Sequence, residues 1–273
     1  MRRAVFATCL CLCAAFSFAQ DSKAPQPQIG QAGKDVVWVP TPDRLIVRML
    51  QMADASSSDL VVDLGSGDGR IPIAAARRFG ARGLGIEYDA ELVRLSIASA
   101  AREGVAGRVR FLRQDLFQTD LSEATVIALY VSPTIMLQLR PRLLAAKPGT
   151  RIVSHQFTLG EWEPDEQAIA EGASAYLWVV PARVEGTWRL SLEGDTYEVR
   201  LQQAHQMLRG AAEFRGKPSP VFAARLRGQT IRFAFIDRNA DPRSFTGRVA
   251  GDAMEGTSST HGQTDLPWSA RRQ

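Results

Sequence analysis

The segment Val61-Val62-Asp63-Leu64-Gly65-Ser66-Gly67-Asp68-Gly69-Arg70 sets three alternate glycines behind an apolar run that contains an acid. A strand, a glycine turn and a helix start let backbone pass close to a nucleotide-like ligand, although a tight strand-to-helix turn has the same structural need. The spacing is G-x-G-x-G, with Arg70 where the dinucleotide fingerprint G-x-G-x-x-G has its last glycine, so NAD and FAD are disfavoured. No G-K-[ST] ending follows for a phosphate loop. Asp63 stands two residues before the first glycine, where a carboxylate can orient an ammonium group or a bridging water. Glu87 closes the next apolar run and can accept both hydroxyls of a ribose. Asp115, in Arg113-Gln114-Asp115-Leu116, follows the third run and is placed to meet an adenine edge. A cationic ligand with ribose and adenine but no phosphate suits all three acids, and together they describe a site for S-adenosylmethionine. The expected contacts are Asp63, Gly65, Gly67, Glu87 and Asp115 with their neighbours Ser66, Tyr88 and Leu116.

Methyl transfer from a sulfonium is a displacement whose driving charge resides in the cofactor, so the protein has mainly to align nucleophile, carbon and sulfur. A lysine nucleophile must be neutral, which an apolar aromatic channel or a nearby base achieves by lowering its pKa. Tyr130, in Tyr130-Val131-Ser132-Pro133, is a candidate for that channel, or a tyrosine packed at a strand end. His155 is a candidate base, or a buried histidine satisfied by backbone. No [DN]-P-P-[YF] stands at Tyr130, which lowers the expectation of adenine or amide methylation. The histidines, His155, His205 and His261, lack metal-ligand spacing, and no G-x-S-x-G elbow supports a hydrolase.

The elements that must position these groups alternate between short β-rich runs and amphipathic helices, the signature of a doubly wound parallel sheet. Strands are expected at 60–63, 83–87, 108–112, 124–131, 150–157 and 176–183, and helices near 70–79, 90–103 and 135–146. The second helix carries Val93, Ile97, Ala100 and Ala101 at helical spacing. Thr41-Pro42-Asp43 reads as a further helix start with a capping hydroxyl. After Trp162 the text is loop-like until Tyr176. From Val184 the period becomes two, with runs at 187–192, 196–202, 206–214, 221–227, 230–236, 245–250 and 253–258, which predicts a small antiparallel barrel or sandwich. That module is either a stabilising or oligomerising appendage, or a pocket or edge that presents substrate.

The 273 residues carry a formal charge of +4, and without Arg2 and Arg3 the 33 basic residues become 31 against 29 acids, or +2. Lys and Arg are scattered, so no nucleic-acid partner is expected. Cysteine is confined to Cys9, Cys11 and Cys13, which excludes disulfides, zinc knuckles and thiol nucleophiles from the body of the chain. Residues 1–19 combine a basic start, an apolar stretch too short to span a bilayer and a small-residue exit, Ser17-Phe18-Ala19, and read as a signal peptide. Export to the periplasm is the expectation, with a cytoplasmic protein if the leader is a wrongly chosen start. The chain therefore divides into a leader (1–19), a flexible linker (20–35), a sheet domain (36–183) and an all-β module (184–273).

Residues 36–183 resemble the class I methyltransferases, including Lys147-Pro148-Gly149 before the fifth strand. Within them the chain is most similar to the lysine methyltransferases of the mitochondrial adenine-nucleotide translocase and the ATP-synthase c-subunit, with their bacterial relatives. The shared runs are V-P-T-P (Val39 to Pro42), D-L-G-S-G-D-G-R-I (Asp63 to Ile71), D-L-x-x-x-D-L-S (Asp115 to Ser122) and S-H-x-F…W (Ser154 to Trp162). The resemblance implies a Rossmann-like fold, S-adenosylmethionine as cofactor and a lysine side chain of a protein as substrate. It also implies that Trp38 and Thr41 fold over the cofactor, where a hydrophobic staple and a helix cap would explain them as well. The mitochondrial relatives are not expected to carry the β-module. Because an exported enzyme meets little S-adenosylmethionine, a second reading is an exported, non-enzymatic binding or envelope protein that retains the fold.

Overall fold

The computed structural model describes Gly30, residues 39–260 and residues 265–273. The leader, Trp38, His261 and the linker apart from Gly30 lie outside the described residues. Five short strands run parallel: β1 (Leu60–Leu64), β2 (Arg82–Glu87), β3 (Val109–Arg113), β4 (Val126–Leu129) and β5 (Arg151–His155), in the order β3-β2-β1-β4-β5. Alternate residues of each central strand feed opposite cores, as a sheet covered on both faces requires. Val61, Val126, Ala128 and Val153 pack under α1 (Asp43–Met52) and α2 (Arg70–Phe79), with α3 (Ala90–Arg102) beside them. Val62, Leu64, Ile127, Leu129 and Ile152 pack under α4 (Pro133–Leu144).

Ser132 caps α4 and Pro133 takes its first turn, so this helix begins two residues before the periodicity suggests. On α3 the inner face is Leu92, Val93, Leu95, Ser96 and Ala100, while Ile97 and Ala101 are exposed. Between β3 and β4 stands a 3₁₀ turn, Leu116–Gln118, whose carbonyls accept from Arg142 of α4.

Two strands extend the sheet beyond β5. Residues 166–170, expected as loop, form β6 (Glu166–Ala170), and β7 (Ala173–Val179) lies antiparallel between β6 and β5. β6 lacks an apolar run because it is an edge strand with one side open, leaving Ile169 72% exposed. Its hairpin turns through Glu171 (φ 53°) and Gly172 (φ 76°), a pair of positive φ values that matches the right-handed twist of the strands.

From Gly186 the chain forms an eight-stranded antiparallel meander: β8 (Gly186–Leu192), β9 (Asp195–Ala204), β10 (Met207–Phe214), β11 (Lys217–Arg227), β12 (Thr230–Ile236), β13 (Pro242–Ala250), β14 (Ala253–Ser259) and β15 (Leu266–Arg272). β15, absent from the expected runs, pairs with both β14 and β8 and closes the barrel, which decides between barrel and sandwich. Its pattern is blurred by Pro267 and by two terminal arginines, yet Trp268 and Ala270 alternate inward. The interior is filled by side chains, among them Phe233, Phe235, Phe245 and Trp268 with ring centroids 4.6–6.3 Å apart. A closed barrel offers no open sheet edge. No helix among the described residues is long and apolar enough to cross a membrane.

Candidate functional site

The carboxyl ends of β1, β2, β4 and β5 bring most of the candidate residues to one edge of the sheet. After Leu64 the loop doubles back, with Gly65, Gly67 and Gly69 at φ 85°, 55° and 79°. All three angles lie in the left-handed region that side chains with a Cβ avoid. At Gly69 a Cβ would also come within 2.6 Å of the Phe111 ring. The amides of Gly65 and Ser66 both donate to the Ile86 carbonyl at 2.9 Å, which pins the loop to β2. Ser96 of α3 donates to the Gly67 carbonyl at 3.0 Å. The Ser66 hydroxyl is buried with no partner among the described residues.

Asp63 is 2% exposed, and no donor among the described residues bonds its carboxylate. Burial pushes its pKa well above the ordinary carboxylate range, and the negative charges of Glu87 and Asp68 push it further. Such a group calls for a cation. Glu87 accepts from Gly67 N at 2.9 Å through one oxygen and from the amides of Tyr88 and Asp89 at 2.7 and 3.0 Å through the other. It is therefore fixed at the mouth of the glycine loop. Asp115 accepts from Phe117 N at 2.9 Å and starts the 3₁₀ turn, with Leu116 half-buried beside it. Tyr88 is exposed, with the Arg113 guanidinium 6.0 Å from its ring centre.

Thr41 does not cap α1. Pro42 holds the cap position with no side-chain hydrogen bond. The Thr41 hydroxyl lies instead 3.2 Å from His155 Nδ1, and its carbonyl accepts from Arg70 at 3.0 Å. Arg70 is itself gripped by Asp68 in a two-pronged ion pair, Nε to Oδ1 at 2.9 Å and Nη2 to Oδ2 at 2.7 Å. The charged residues of the glycine motif thus tie the segment before α1 down beside the strand ends.

Tyr130, just past the end of β4, and His155, the last residue of β5, stack at 3.8 Å with planes 27° apart, and Phe157 lies 6.2 Å from Tyr130. Burial lowers the His155 pKa to about 4 and raises that of Tyr130, so both rings are neutral at pH 7. Thr41 occupies Nδ1 of His155, which leaves Nε2 to accept or donate according to the tautomer. Phe157 reaches the stack because the chain reverses within three residues: Gln156 has φ 69° and Phe157 N donates to the His155 carbonyl at 2.8 Å. This is a γ-turn of the rare positive-φ kind.

The acids Asp63 and Glu87 about the glycine loop therefore stand at the same end of the sheet as a neutral aromatic wall. Asp68, Arg70, Gln156 and Phe157 are not singled out for these roles by sequence reasoning. Asp68 and Arg70 stand inside the glycine motif and Phe157 inside S-H-x-F, so the motifs hold the signal. His205, read only against metal spacing, stacks on Trp162 at a distance of 6.0 Å. Among the described residues no His, Cys, Asp and Glu group could hold a metal.

The fold and this site define an S-adenosylmethionine-dependent methyltransferase, and the family profile described as the ANTKMT methyltransferase domain matches residues 63–166. The orphaned Ser66 hydroxyl, the positive-φ glycines and the cation-seeking Asp63 fit that cofactor. A protein-lysine N-methyltransferase of Saccharolobus islandicus is 39% identical over 151 residues, covering 53% of this chain and 94% of that protein. A lysine N-methyltransferase of the ATP-synthase c-subunit from Caenorhabditis elegans is 34% identical over 140 residues, covering 49% of this chain and 72% of that one. A crystal structure described as an RNA methyltransferase from Salinibacter ruber with S-adenosylhomocysteine superposes with a TM-score of 0.52 at 48% identity, over 54% of this chain and 96% of that one. The chain belongs to this family of methyltransferases, with S-adenosylmethionine as the methyl donor. The archaeal relative, matched almost end to end over 151 residues, has no length for the barrel. Nothing in these likenesses favours a non-enzymatic protein.

Proposed function

We propose that the chain transfers a methyl group from S-adenosylmethionine to the ε-amine of a lysine in a protein. The observation that carries this reading is the neutral wall of Tyr130, His155 and Phe157 at the strand ends beside buried Asp63. The activities named for the relatives from Saccharolobus islandicus and Caenorhabditis elegans support it. When bound, the cofactor supplies a methyl group activated by its sulfonium charge. Asp63 suits the donor's cationic end, Glu87 its ribose hydroxyls, and the Asp115–Leu116 step its adenine. The aromatic wall strips water from the acceptor, so a lysine ammonium there releases its proton to solvent more readily. His155, with a pKa of about 4, is too weak a base to take that proton at neutral pH, and on this reading it orients the amine through Nε2.

The test is transfer of labelled methyl from S-adenosylmethionine into an extract of the cell that makes the protein. The expected label is released by protease, recovered as methyl-lysine after hydrolysis, and at least tenfold lower with Tyr130→Ala. Label released by nuclease instead would overturn the reading and favour the RNA activity named for the Salinibacter protein. The apolar stretch after Arg2 and Arg3 further supports export of the mature chain, which N-terminal sequencing of the native protein tests. Cleavage near Ala19 is expected; Met1 retained on a cytoplasmic protein would contradict it.

A further inference from the structure

The connection from His155 to β6 has no regular structure beyond one isolated bridge, Leu159 to Trp162. It leaves the active end of the sheet at the Gln156 turn and finishes against the barrel. At the near end, Ser154 Oγ donates to the Phe157 carbonyl at 2.8 Å and Arg140 of α4 donates to the Leu159 carbonyl at 3.1 Å. At the far end the barrel takes over. The β9–β10 turn is forced out through His205, at φ 54°, whose ring stacks on buried Trp162 with planes 15° apart. Gln206, 1% exposed, donates Nε2 to the Glu163 carbonyl at 2.7 Å. Arg225 of β11 pairs at 2.7 Å with Asp165, whose other carboxylate oxygen accepts from Val179 N at 2.8 Å.

These three contacts are made to the connecting segment, not to the cofactor loop. A positive-φ turn at a residue with a Cβ persists only where its surroundings over-determine it. The far end of the segment is held from two sides: by the sheet, where Trp178 Nε1 donates to the Trp162 carbonyl and Asp165 N to the Leu177 carbonyl, each at 2.7 Å, and by the three barrel contacts. We propose that the barrel is a positioning element for methyl transfer: His205, Gln206 and Arg225 fix Trp162, Glu163 and Asp165 at the far end of the segment, and the segment so anchored keeps Phe157 and His155 stacked against Tyr130. This rests on the acceptor-wall reading above. It gives the barrel a task that needs neither an internal pocket nor a free edge.

The experiment uses the full chain with ring-labelled histidine, whose few signals, from His155, His205 and His261, are separable by nuclear magnetic resonance. The His155 ring protons should be displaced by the Tyr130 ring current. In the Gln206→Ala/Arg225→Ala double variant the His155 signals should shift toward free-histidine positions and broaden. Affinity for S-adenosylhomocysteine should stay within about twofold, and kcat for methyl-lysine formation should drop about tenfold with KM for S-adenosylmethionine unchanged. In Arg225→Lys with Gln206 intact, which keeps the ion pair, the His155 signals should stay in place. Should the double variant unfold, the single exposed change Arg225→Glu replaces it. Unmoved His155 signals in a folded dock variant would overturn the proposal. Because that signal needs no acceptor, a failed acceptor assignment and a failed positioning role give different results.

Discussion

At the scale of single residues the decisive group is Asp63, a carboxylate in a buried place with two further acids near it. Its raised pKa means that the unfolded chain releases this proton first as pH rises. Asp63 therefore stabilises the fold below the ordinary carboxylate range, and that contribution is lost as pH climbs through its own higher value. Asp63→Asn should raise the melting temperature of the cofactor-free protein at pH 7 while weakening S-adenosylmethionine binding by about a hundredfold, or 2.7 kcal/mol. Scanning calorimetry and titration of the same sample check both. In the intact protein, affinity for the cationic cofactor should fall on acidification through that same pKa. His155 has the opposite sign: its pKa of about 4 against 6.5 for free histidine gives stability that is full above pH 6.5 and lost as pH falls toward 4. His155→Asn should flatten that limb of the stability profile; an unchanged limb would contradict the buried neutral imidazole. Asp63 and the glycines are legible in sequence because one turn dictates their spacing, and Glu87 and Asp115 because each stands at or just past the end of a following apolar run. Thr41 reads as a helix cap only because its true partner lies 114 residues away. Gln156 gives no signal at all: its strained turn, costing on the order of 1–3 kcal/mol, is imposed by neighbours distant in sequence.

At the scale of elements, α2 matches its expected span at both ends and the parallel strands match theirs to within a few residues, because buried strands and amphipathic helices write their burial directly into the period. β6 and β15 escape the pattern for the complementary reason. One is a half-exposed edge, and the other is completed only across the closing seam, where Trp268 faces Leu192 of β8. Neither strand can be read without its partners. The barrel's elements cohere through rings, and Phe245 is the best placed of them, buried with Phe233 and Phe235 at 4.8 and 4.6 Å and Trp268 edge-on at 5.7 Å. Phe245→Ala should cost about 3–5 kcal/mol. Denaturant unfolding followed by tryptophan fluorescence measures it, and a loss below about 1 kcal/mol would show that the barrel interior is loosely packed.

At the scale of the whole molecule, a methyltransferase domain is joined to a barrel that touches it through the segment leading away from His155. The parallel core of the sheet and the antiparallel character of the second module follow from periodicity, but the closure of the barrel and its attachment do not, because docking by His205, Gln206 and Arg225 leaves no pattern in a single sequence. An acceptor wall has a role only beside a working donor site. The most direct measurement is therefore calorimetric titration of the full chain with S-adenosylhomocysteine, beside the Asp63→Ala/Glu87→Ala double variant. Binding near micromolar, about 8 kcal/mol, that disappears in a folded double variant is the predicted result. No binding to the intact, folded protein, or equal binding by the variant, would contradict the account.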